Sequence, residues 1–343
     1  MNYLILLAPA AAILALLLTG LLRRYAIARS IIDVPTERSS HSVPTPRGGG
    51  VGIVLSFLVM LPLLSMWDII SNNILWGFFG AGSLVALIGF LDDHGHIAAR
   101  WRLLGHFSAA AWILYWFGGF PSINIFGMTI YLSWLGHLLA AFFLVWMLNL
   151  YNFMDGIDGL ASVEAVSSCL SASFIYWLVG YSDLAGMPVI LSMSVLGFLF
   201  WNFPPARIFM GDAGSGFLGI ILAGFSIQAA WHDTNLLWIW LILLGVFIVD
   251  ATLTLFRRFI SGCKVYEAHR SHAYQFASRK VGSHLPVTFS ILAINIFWLL
   301  PIALCVALLG LNGLIGLLVA YVPLVFLAFK YHAGESELSA SSR

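Results

Sequence analysis

Long apolar runs dominate the sequence and decide which folds are open to it. Stretches of about 17–25 apolar residues are long enough to cross a bilayer as helices. The predicted spans are 2–22, 48–67, 73–91, 103–120, 134–150, 160–180, 187–203, 215–231, 236–256, 285–309 and 313–330. Only 9% of the residues are charged, whereas a soluble domain carries about 25%. We therefore expect an all-α polytopic membrane protein with about eleven transmembrane helices.

The connections between the runs are short, which predicts one membrane-embedded domain over residues 1–330. Residues 2–22 lack the basic start and cleavage site of a signal peptide, so we interpret them as a retained helix. Segment 121–133 is short and β-branched, which fits a small surface hairpin. The polar tail, 331–343, is expected to be disordered and cytoplasmic.

The loops fall alternately on two sides of the predicted bundle, and all sixteen Lys and Arg residues fall on one of them. That side holds 23–47, 92–102, 151–159, 204–214, 257–284 and the tail. Because positive loops stay inside, this side is predicted to be cytoplasmic, with the N-terminus outside and the C-terminus inside. Almost all chemically functional side chains are predicted to lie on this cytoplasmic side. The membrane is expected to be the bacterial inner membrane.

The first two cytoplasmic loops carry anion-binding and acidic patterns. In the first, Arg38, His41 and Arg47 precede a glycine run that enters a helix, where backbone N–H groups can hold an anion. A close-packed helix start is the alternative. In the second, LDDHGHIAARWRLLG, Asp92 and Asp93 are adjacent, a common arrangement for Mg²⁺ or a general base. Neutralisation by nearby arginines is the alternative.

The third pattern is NLYNFMDGIDGLAS, which follows an apolar run. Asn149, Asn152, Asp155 and Asp158 recur every three residues, so the first three can point into one cleft at a helix end. Oxygen ligands of this kind suit Mg²⁺, which also binds phosphate. Solvated polarity at a helix end is the alternative.

Two further patterns complete the cytoplasmic face. Asp212 lies in a Gly-rich turn opening a helix, which suits a metal-held phosphate, with a plain N-cap as the alternative. The longest loop, GCKVYEAHRSHAYQFASRK, clusters His269, Arg270 and His272 among basic residues that could clamp a pyrophosphate. A basic loop at the membrane surface is the alternative.

Isolated polar residues inside the spans are weaker candidates. His106, His137 and Glu164 are expected to join helices or lie at the membrane interface rather than act in catalysis. Asp250 precedes Arg257 and Arg258 near a helix end, and we expect it to form a structural pair.

Four of these patterns together, LDDHGH, NLYNFMDGIDGLAS, FMGDAGS and HRSHAYQ, resemble the polyprenyl-phosphate N-acetylhexosamine-1-phosphate transferase family over about residues 30–280. The resemblance implies transfer of a sugar-1-phosphate from a UDP-sugar to undecaprenyl phosphate, with release of UMP. It implies Mg²⁺, with Mn²⁺ as a substitute, and the family's positions transfer to this sequence as follows. The implied metal ligands are Asn152 and Asp212; the catalytic residues are Asp92, Asp93, Arg102, Asp155, His269 and His272; the substrate-binding residues are Asp158, Phe209, Arg270, Arg47 and Asn149.

The resemblance also narrows the substrate. The triple-histidine segment of the peptidoglycan branch is absent, and HRSHAYQ resembles the transferases that start O-antigen or capsule synthesis. The expected donor is UDP-GlcNAc, UDP-FucNAc or UDP-QuiNAc, and the expected partners are undecaprenyl phosphate and membrane lipid, without nucleic acid. A homodimer is left open. The rival functions are a transporter, whose carboxylates would lie near the midplane, and a scaffold without an active site.

Overall fold

The computed structural model describes residues 4–35, 43–95, 97–263 and 269–335. Arg38 and His41, together with residues 336–343 of the predicted tail, lie outside this part of the chain. Within it lie fourteen α-helices, one π-helical turn and four short strands. The helices are α1 (Leu4–Ala28), α2 (Val51–Met66), α3 (Asn72–His94), α4 (Ala99–Phe117), α5 (Ser133–Met154), α6 (Leu160–Leu178), α7 (Gly186–Asn202), α8 (Asp212–Ala230), α9 (Thr234–Leu243), α10 (Gly245–Ile260), α11 (Ala273–Val281), α12 (His284–Ile294), α13 (Leu300–Leu308) and α14 (Gly313–Lys330).

Each predicted span falls on one helix or on two consecutive helices, because a bilayer leaves the backbone no other way to satisfy its own hydrogen bonds. By length and composition, six helices of the described chain can cross a membrane, counting α12 to α13 as one through the π-helical turn Asn295–Leu299. The bent pair α9 and α10 would make a seventh, and α2 and α7 are apolar but shorter. The protein is therefore an all-α membrane protein, and the number eleven stays a prediction.

Short antiparallel strands close two of the connections. The predicted hairpin in 121–133 is confirmed, since β3 (Ile123–Ile125) pairs with β4 (Met128–Ile130). A second pair joins β1 (Ile32–Asp33) to β2 (Thr45–Pro46) at the base of the first loop. This pair brings the chain back towards the start of α2.

Helix α8 forms the centre of the bundle. Its whole length is buried, and it packs against α3 and α5. A helix that is apolar on every side is stable only inside a larger core. Because α8 begins at Asp212, the core helix delivers that carboxylate to the polar end of the bundle.

The second half of the chain bends sharply before it reaches the long basic loop. Helices α9 and α10 meet at Leu244 at an angle of 70°. Helix α11 follows the loop and packs against α10, α12 and α14. Unlike its neighbours, α11 is too short and too polar to be a membrane span.

The end of α14 departs from the prediction of a disordered tail. Residues 331–335 form a turn, which we call the C-terminal turn, and it packs onto the end of α10. Arg257 donates to the carbonyl of Ala333 and pairs with Glu335 at 2.7 Å. The Arg257 guanidinium holds the pKa of Glu335 below its usual value. These contacts attach residues 331–335 to the bundle, while the domain boundary at residue 330 stays a prediction.

Candidate active site

The polar ends of four helices meet at one end of the bundle. Asp92 lies in the last turn of α3, Arg102 in the first turn of α4, Asn152 in the last turn of α5, and Asp212 opens α8. Three widely separated sequence patterns therefore converge in space, as the sequence predicts. Loop 269–272 completes this end, because its histidines face the same region.

Arg102 lies between two of the predicted acidic residues. Its guanidinium donates to the Asp92 carboxylate and lies 3.5 Å from Asp212 Oδ2. Asp92 also accepts a hydrogen bond of 2.9 Å from the Ile97 backbone N–H, which closes the connection between α3 and α4. Part of the acidic charge is thus answered by arginine, as the alternative interpretation of this pattern expected.

Asp93 has a separate structural task at the start of α8. Its carboxylate is 5% exposed and accepts from the backbone N–H groups of Asp212 and Ala213 at 3.3 and 3.4 Å. It therefore caps α8 from another helix. Gly211 has a φ of +77°, and a Cβ there would lie 2.6 Å from Asp93 Oδ2, so this turn requires glycine. The capping carboxylate belongs to Asp93, which leaves that of Asp212 free for other contacts.

The glycine run of the first loop does not present its amides to an anion. The N–H groups of Gly49 and Gly50 donate to the carbonyls of Phe209 and Met210, each at 2.9 Å. Of the two interpretations of this loop, the structure shows the close-packed helix start. Arg47, just before the run, donates to the Asp93 carbonyl at 2.6 Å.

The third pattern lies at the end of α5. Asn149 donates to the carbonyl of Val145, while Asn152 Oδ1 accepts from Ser215 at 3.1 Å. Asp155 follows the helix, and burial raises its pKa, with a further contribution from the Asp212 carboxylate. The raised pKa therefore reflects burial first, and the neighbouring carboxylates second.

Asp158 holds the next loop together. One oxygen accepts from the Ala206 N–H at 2.9 Å, and the other lies 3.2 Å from His284 Nδ1. The Thr288 hydroxyl donates to the Asp158 carbonyl at 3.0 Å. Both carboxylate oxygens therefore have partners within the protein.

Loop 269–272 brings two stacked histidines to the site. Their ring centroids are 5.0 Å apart. Burial lowers the pKa of His269 to about 3, with contributions from His272 and Arg258, so this ring is neutral at physiological pH. His269 can therefore act as a neutral hydrogen-bonding group.

Two cavities meet at this end of the bundle. The first, about 490 Å³, is lined by Asp92, Arg102, Asn149, His269 and His272, together with apolar side chains of α3, α4 and α5. The second, about 220 Å³, is lined by Arg47, Asp93, Asp155, Asp158 and Phe209. The residues common to both walls are Asn152, Gly156, Asp212 and Gln275. Within the described chain, Arg270 lies outside both walls, and its carbonyl accepts from Arg279.

Comparisons with known proteins identify the family. The model of the family described as "Glycosyl transferase family 4" matches residues 75–230. The chain is 29% identical over 265 residues to "Probable undecaprenyl-phosphate N-acetylglucosaminyl 1-phosphate transferase" of Bacillus subtilis (strain 168), covering 76% of this chain and 73% of that protein. It is 29% identical over 276 residues to "Undecaprenyl-phosphate alpha-N-acetylglucosaminyl 1-phosphate transferase" of Thermotoga maritima, covering 79% and 81%. It is 31% identical over 255 residues to "Phospho-N-acetylmuramoyl-pentapeptide-transferase" of Bacillus licheniformis, covering 70% and 76%.

The chain belongs to glycosyl transferase family 4. The family predicted from the four sequence patterns is thereby confirmed, and the protein is an enzyme. The transporter alternative receives no support from these relatives.

The walls of the two cavities suit a hard divalent cation in this family 4 enzyme. Six carboxylates line them, those of Asp33, Asp92, Asp93, Asp155, Asp158 and Asp212, against two arginines, Arg47 and Arg102. Carboxylate and amide oxygens are the ligands that Mg²⁺ prefers. In the described residues no group of three or more His, Cys, Asp and Glu side chains has metal-binding geometry. The predicted ligands, Asn152 and Asp212, would therefore leave most coordination positions of the ion to water and phosphate.

Several residues of the transferase that sequence reasoning passed over lie in or beside the site. His106, expected to join helices or lie at the membrane interface, is 9% exposed and lines the first cavity. His284 lines the second and pairs with Asp158. Gln275, the last residue of the pattern HRSHAYQ, lies in both walls but was not among the predicted site residues. His106 follows Arg102 by four residues, and residues four apart lie on the same face of a helix. This spacing could have identified His106 as a neighbour of the site.

Asp250 forms the structural pair expected of it, but not with the nearby arginines. Its carboxylate lies 3.3 Å from His272 Nδ1 and accepts from the first N–H groups of α11. The other isolated residues join elements as expected. Glu164 accepts from Asn295 at 2.6 Å, and His137 accepts from the Phe120 N–H at 3.0 Å.

Proposed function

We propose that this transferase moves an N-acetylhexosamine-1-phosphate from a UDP-sugar to undecaprenyl phosphate and releases UMP. One observation carries the proposal. Two cavities of different chemistry share a wall that contains Asn152 and Asp212. A reaction between a water-soluble nucleotide and a lipid needs two such chambers with one common point, where the reacting phosphates meet.

The second cavity suits the nucleotide. It combines an aromatic ring, Phe209, with the polar groups of Asp158 and Asn202. An aromatic face can stack on uracil, and polar groups can select its edge. Arg47, in the same wall, supplies positive charge for a phosphate.

The first cavity suits the acceptor. Val85, Ile88, Leu103 and Leu148 give it an apolar wall, whereas Arg102 gives it positive charge. A lipid phosphate needs both, since its chain stays in the bilayer while its head is an anion. In the proposed reaction an oxygen of undecaprenyl phosphate attacks the β-phosphorus of the UDP-sugar. The bond from that phosphorus to the bridging oxygen breaks, and UMP leaves.

Asn152 and Asp212 would hold Mg²⁺, or Mn²⁺ in its place, at the common wall. The ion would neutralise charge on the donor pyrophosphate. Arg102 orients the Asp212 carboxylate, while His269 and His272 donate or accept hydrogen bonds in the wall of the first cavity. We favour direct attack over an aspartyl-phosphate intermediate, and of the pair Asp92 and Asp93 we favour Asp92, which lines the acceptor cavity, as the group that takes a proton from the lipid phosphate.

The proposal includes a membrane arrangement. Eleven spans, an external N-terminus and a cytoplasmic site follow from the placement of every Lys and Arg on one side. The enzyme would lie in the bacterial inner membrane, where UDP-sugars are available on the cytoplasmic face. GlcNAc is our first candidate for the sugar, with FucNAc and QuiNAc next, and the resemblance of HRSHAYQ favours the start of O-antigen.

A panel of UDP-sugars tests the proposal. Purified protein is mixed with undecaprenyl phosphate, Mg²⁺ and one donor at a time, and UMP release and the mass of the lipid product are measured. We expect UMP and a polyprenyl diphosphate sugar from one N-acetylhexosamine donor. EDTA should abolish turnover, and added Mg²⁺ should restore it. UDP-MurNAc-pentapeptide belongs in the panel, since turnover of that donor alone would contradict the proposed sugar.

A further inference from the structure

We propose that Asp250 is a positioning residue for this reaction, acting through α11 to hold loop 269–272 and the end of α5 in one fixed relation. The inference rests on the proposed function. Three residues carry it: Asp250 on α10, Tyr274 on α11, and Phe153 on α5. We call this connection the α11 link.

The first half of the link is the carboxylate of Asp250. It is 6% exposed, so its oxygens must find partners inside the protein. Oδ1 accepts from the Ala273 N–H at 2.9 Å, and Oδ2 accepts from the Tyr274 N–H at 3.0 Å. These two residues open α11, where N–H groups have no partner in their own helix. A carboxylate there also faces the positive end of the helix dipole.

The same carboxylate fixes the ring of His272. His272 is 2% exposed, and its Nδ1 lies 3.3 Å from Asp250 Oδ1. The contact with the carboxylate at Nδ1, together with the hydrogen bond that the His272 side chain accepts from the third residue of α11, fixes the orientation of this ring. Since His272 lines the first cavity, Asp250 helps to set the orientation of this ring in the cavity wall.

The second half of the link runs from α11 to α5. The Tyr274 hydroxyl donates to the carbonyl of Phe153 at 2.9 Å. Phe153 directly follows Asn152, in the last turn of α5, where carbonyls lack partners in their own helix. Burial raises the pKa of Tyr274, and the Asp250 and Asp155 carboxylates raise it further, so the hydroxyl keeps its proton.

Gly156 shows how closely the two parts approach. A Cβ at this position would lie 2.1 Å from the Tyr274 hydroxyl oxygen. The chain can therefore turn away from α5 only where residue 156 has no side chain. Together these contacts make one turn of α11 a rigid bridge between loop 269–272 and the residue beside Asn152.

The bridge should matter for turnover more than for donor binding. Asp250 lies outside the walls of both cavities, but the link fixes two residues that line the acceptor cavity, His272 and Phe153. A misplacement of about 1 Å at a reacting centre can cost about 10²-fold in rate. We therefore expect Asp250→Asn and Tyr274→Phe each to lower kcat about tenfold or more, while KM for the UDP-sugar changes by less than about threefold.

A double-mutant cycle tests the link. Because both substitutions break one bridge, the double variant should lose little more kcat than the more damaging single variant. The matched control is Tyr321→Phe, which removes another tyrosine hydroxyl that donates to a backbone carbonyl, that of Leu241, at 2.8 Å. Asp250→Asn combined with Tyr321→Phe should give multiplicative effects.

Each outcome decides the matter. Multiplicative losses for Asp250→Asn with Tyr274→Phe, or unchanged kcat in a folded Asp250→Asn protein, would overturn the link. If Asp250→Asn does not fold, Thr254→Val replaces it in the cycle, since the Thr254 hydroxyl donates to Asp250 at 3.1 Å. Wild-type protein is assayed beside the variants. Absence of UMP release from wild type with every donor counts against the proposed function, whereas an active wild type with a multiplicative cycle counts against the link alone.

Discussion

Neighbouring carboxylates at the site have different surroundings, and these surroundings separate their roles at the scale of single residues. Asp93 is buried against the start of α8, whereas Asp212 lies in the wall between the two cavities. The adjacent pair Asp92 and Asp93 is divided in the same way, since Asp92 contacts Arg102 and Asp93 contacts Arg47. Nothing in the sequence distinguishes these roles, because each carboxylate is one more acidic residue at a helix end.

Substitution of these carboxylates by asparagine should stop turnover for two reasons. We expect Asp92→Asn, Asp93→Asn and Asp212→Asn each to lower kcat by about 10²-fold or more, because each removes a proposed proton acceptor or metal ligand. Only Asp93→Asn should also destabilise the fold, by about 1 kcal/mol, since it weakens the cap of α8. UMP release and thermal unfolding measure the two effects separately.

The matched control for this series is Asp183→Asn. Asp183 is an exposed carboxylate in the loop between α6 and α7. Its substitution should leave both activity and melting temperature unchanged. Full activity of Asp212→Asn in the presence of EDTA would contradict the metal site.

Gly156 offers a second test at the residue scale. Gly156→Ala should destabilise the protein, because the new methyl group meets the Tyr274 hydroxyl. Adding Tyr274→Phe should recover part of the lost thermal stability, since the clashing oxygen is then absent. A double variant less stable than Gly156→Ala alone would show that the clash lies elsewhere.

The C-terminal turn links one element to another. The Gly334 N–H donates to the carbonyl of Ser271 at 2.7 Å, within loop 269–272. Arg257 anchors the same turn from α10. Loop 269–272 is thus held by α10, through the contact of Asp250 with His272, and by the C-terminal turn, through Gly334.

Truncation tests this contact between elements. A chain that ends after residue 335 should keep wild-type activity, because every described contact of the C-terminal turn remains. A chain that ends after Lys330 should lose most of its turnover while its helices stay folded, since loop 269–272 loses one support. UMP release and circular dichroism distinguish the two results, and equal activity of both chains would refute the role of the turn.

Sequence patterns predicted the elements well and their junctions poorly. The spans were predictable because bilayer thickness fixes the length of an apolar helix. The convergence of Asp92, Asn152 and Asp212 was predictable because their loops alternate onto one side. The bend at Leu244 was not, because the pair of helices there reads as one continuous apolar run. That bend brings Asp250 to the start of α11. There it contacts His272, which lies 22 residues later in the chain, and no periodicity in the sequence reveals this contact.

At the scale of the whole molecule, the proposed orientation can be measured with a natural cysteine. Cys263 is exposed, whereas Cys169 is buried and Cys305 is partly buried. Cys263 lies in the loop that we assign to the cytoplasm. A membrane-impermeant maleimide should therefore label the protein in inside-out vesicles and not in intact cells.

Two variants make the labelling specific. Cys263→Ser should remove the signal from inside-out vesicles. Asp183→Cys in that background should restore labelling only in intact cells, since residue 183 falls on the opposite side. Labelling of Cys263 from outside the cell would invert the topology and place the site on the wrong face for a UDP-sugar.

The C-terminal turn also bears on the order in which the enzyme becomes competent during synthesis. Residues 331–335 leave the ribosome after every other part of the site, yet they contact loop 269–272 directly. A nascent chain that has already inserted its catalytic helices would still wait for this final segment before turning over. A premature stop codon just beyond the last turn of α14 should then remove most of the turnover although the described helices are complete, and a reporter protein is better inserted after residue 335 than at residue 330.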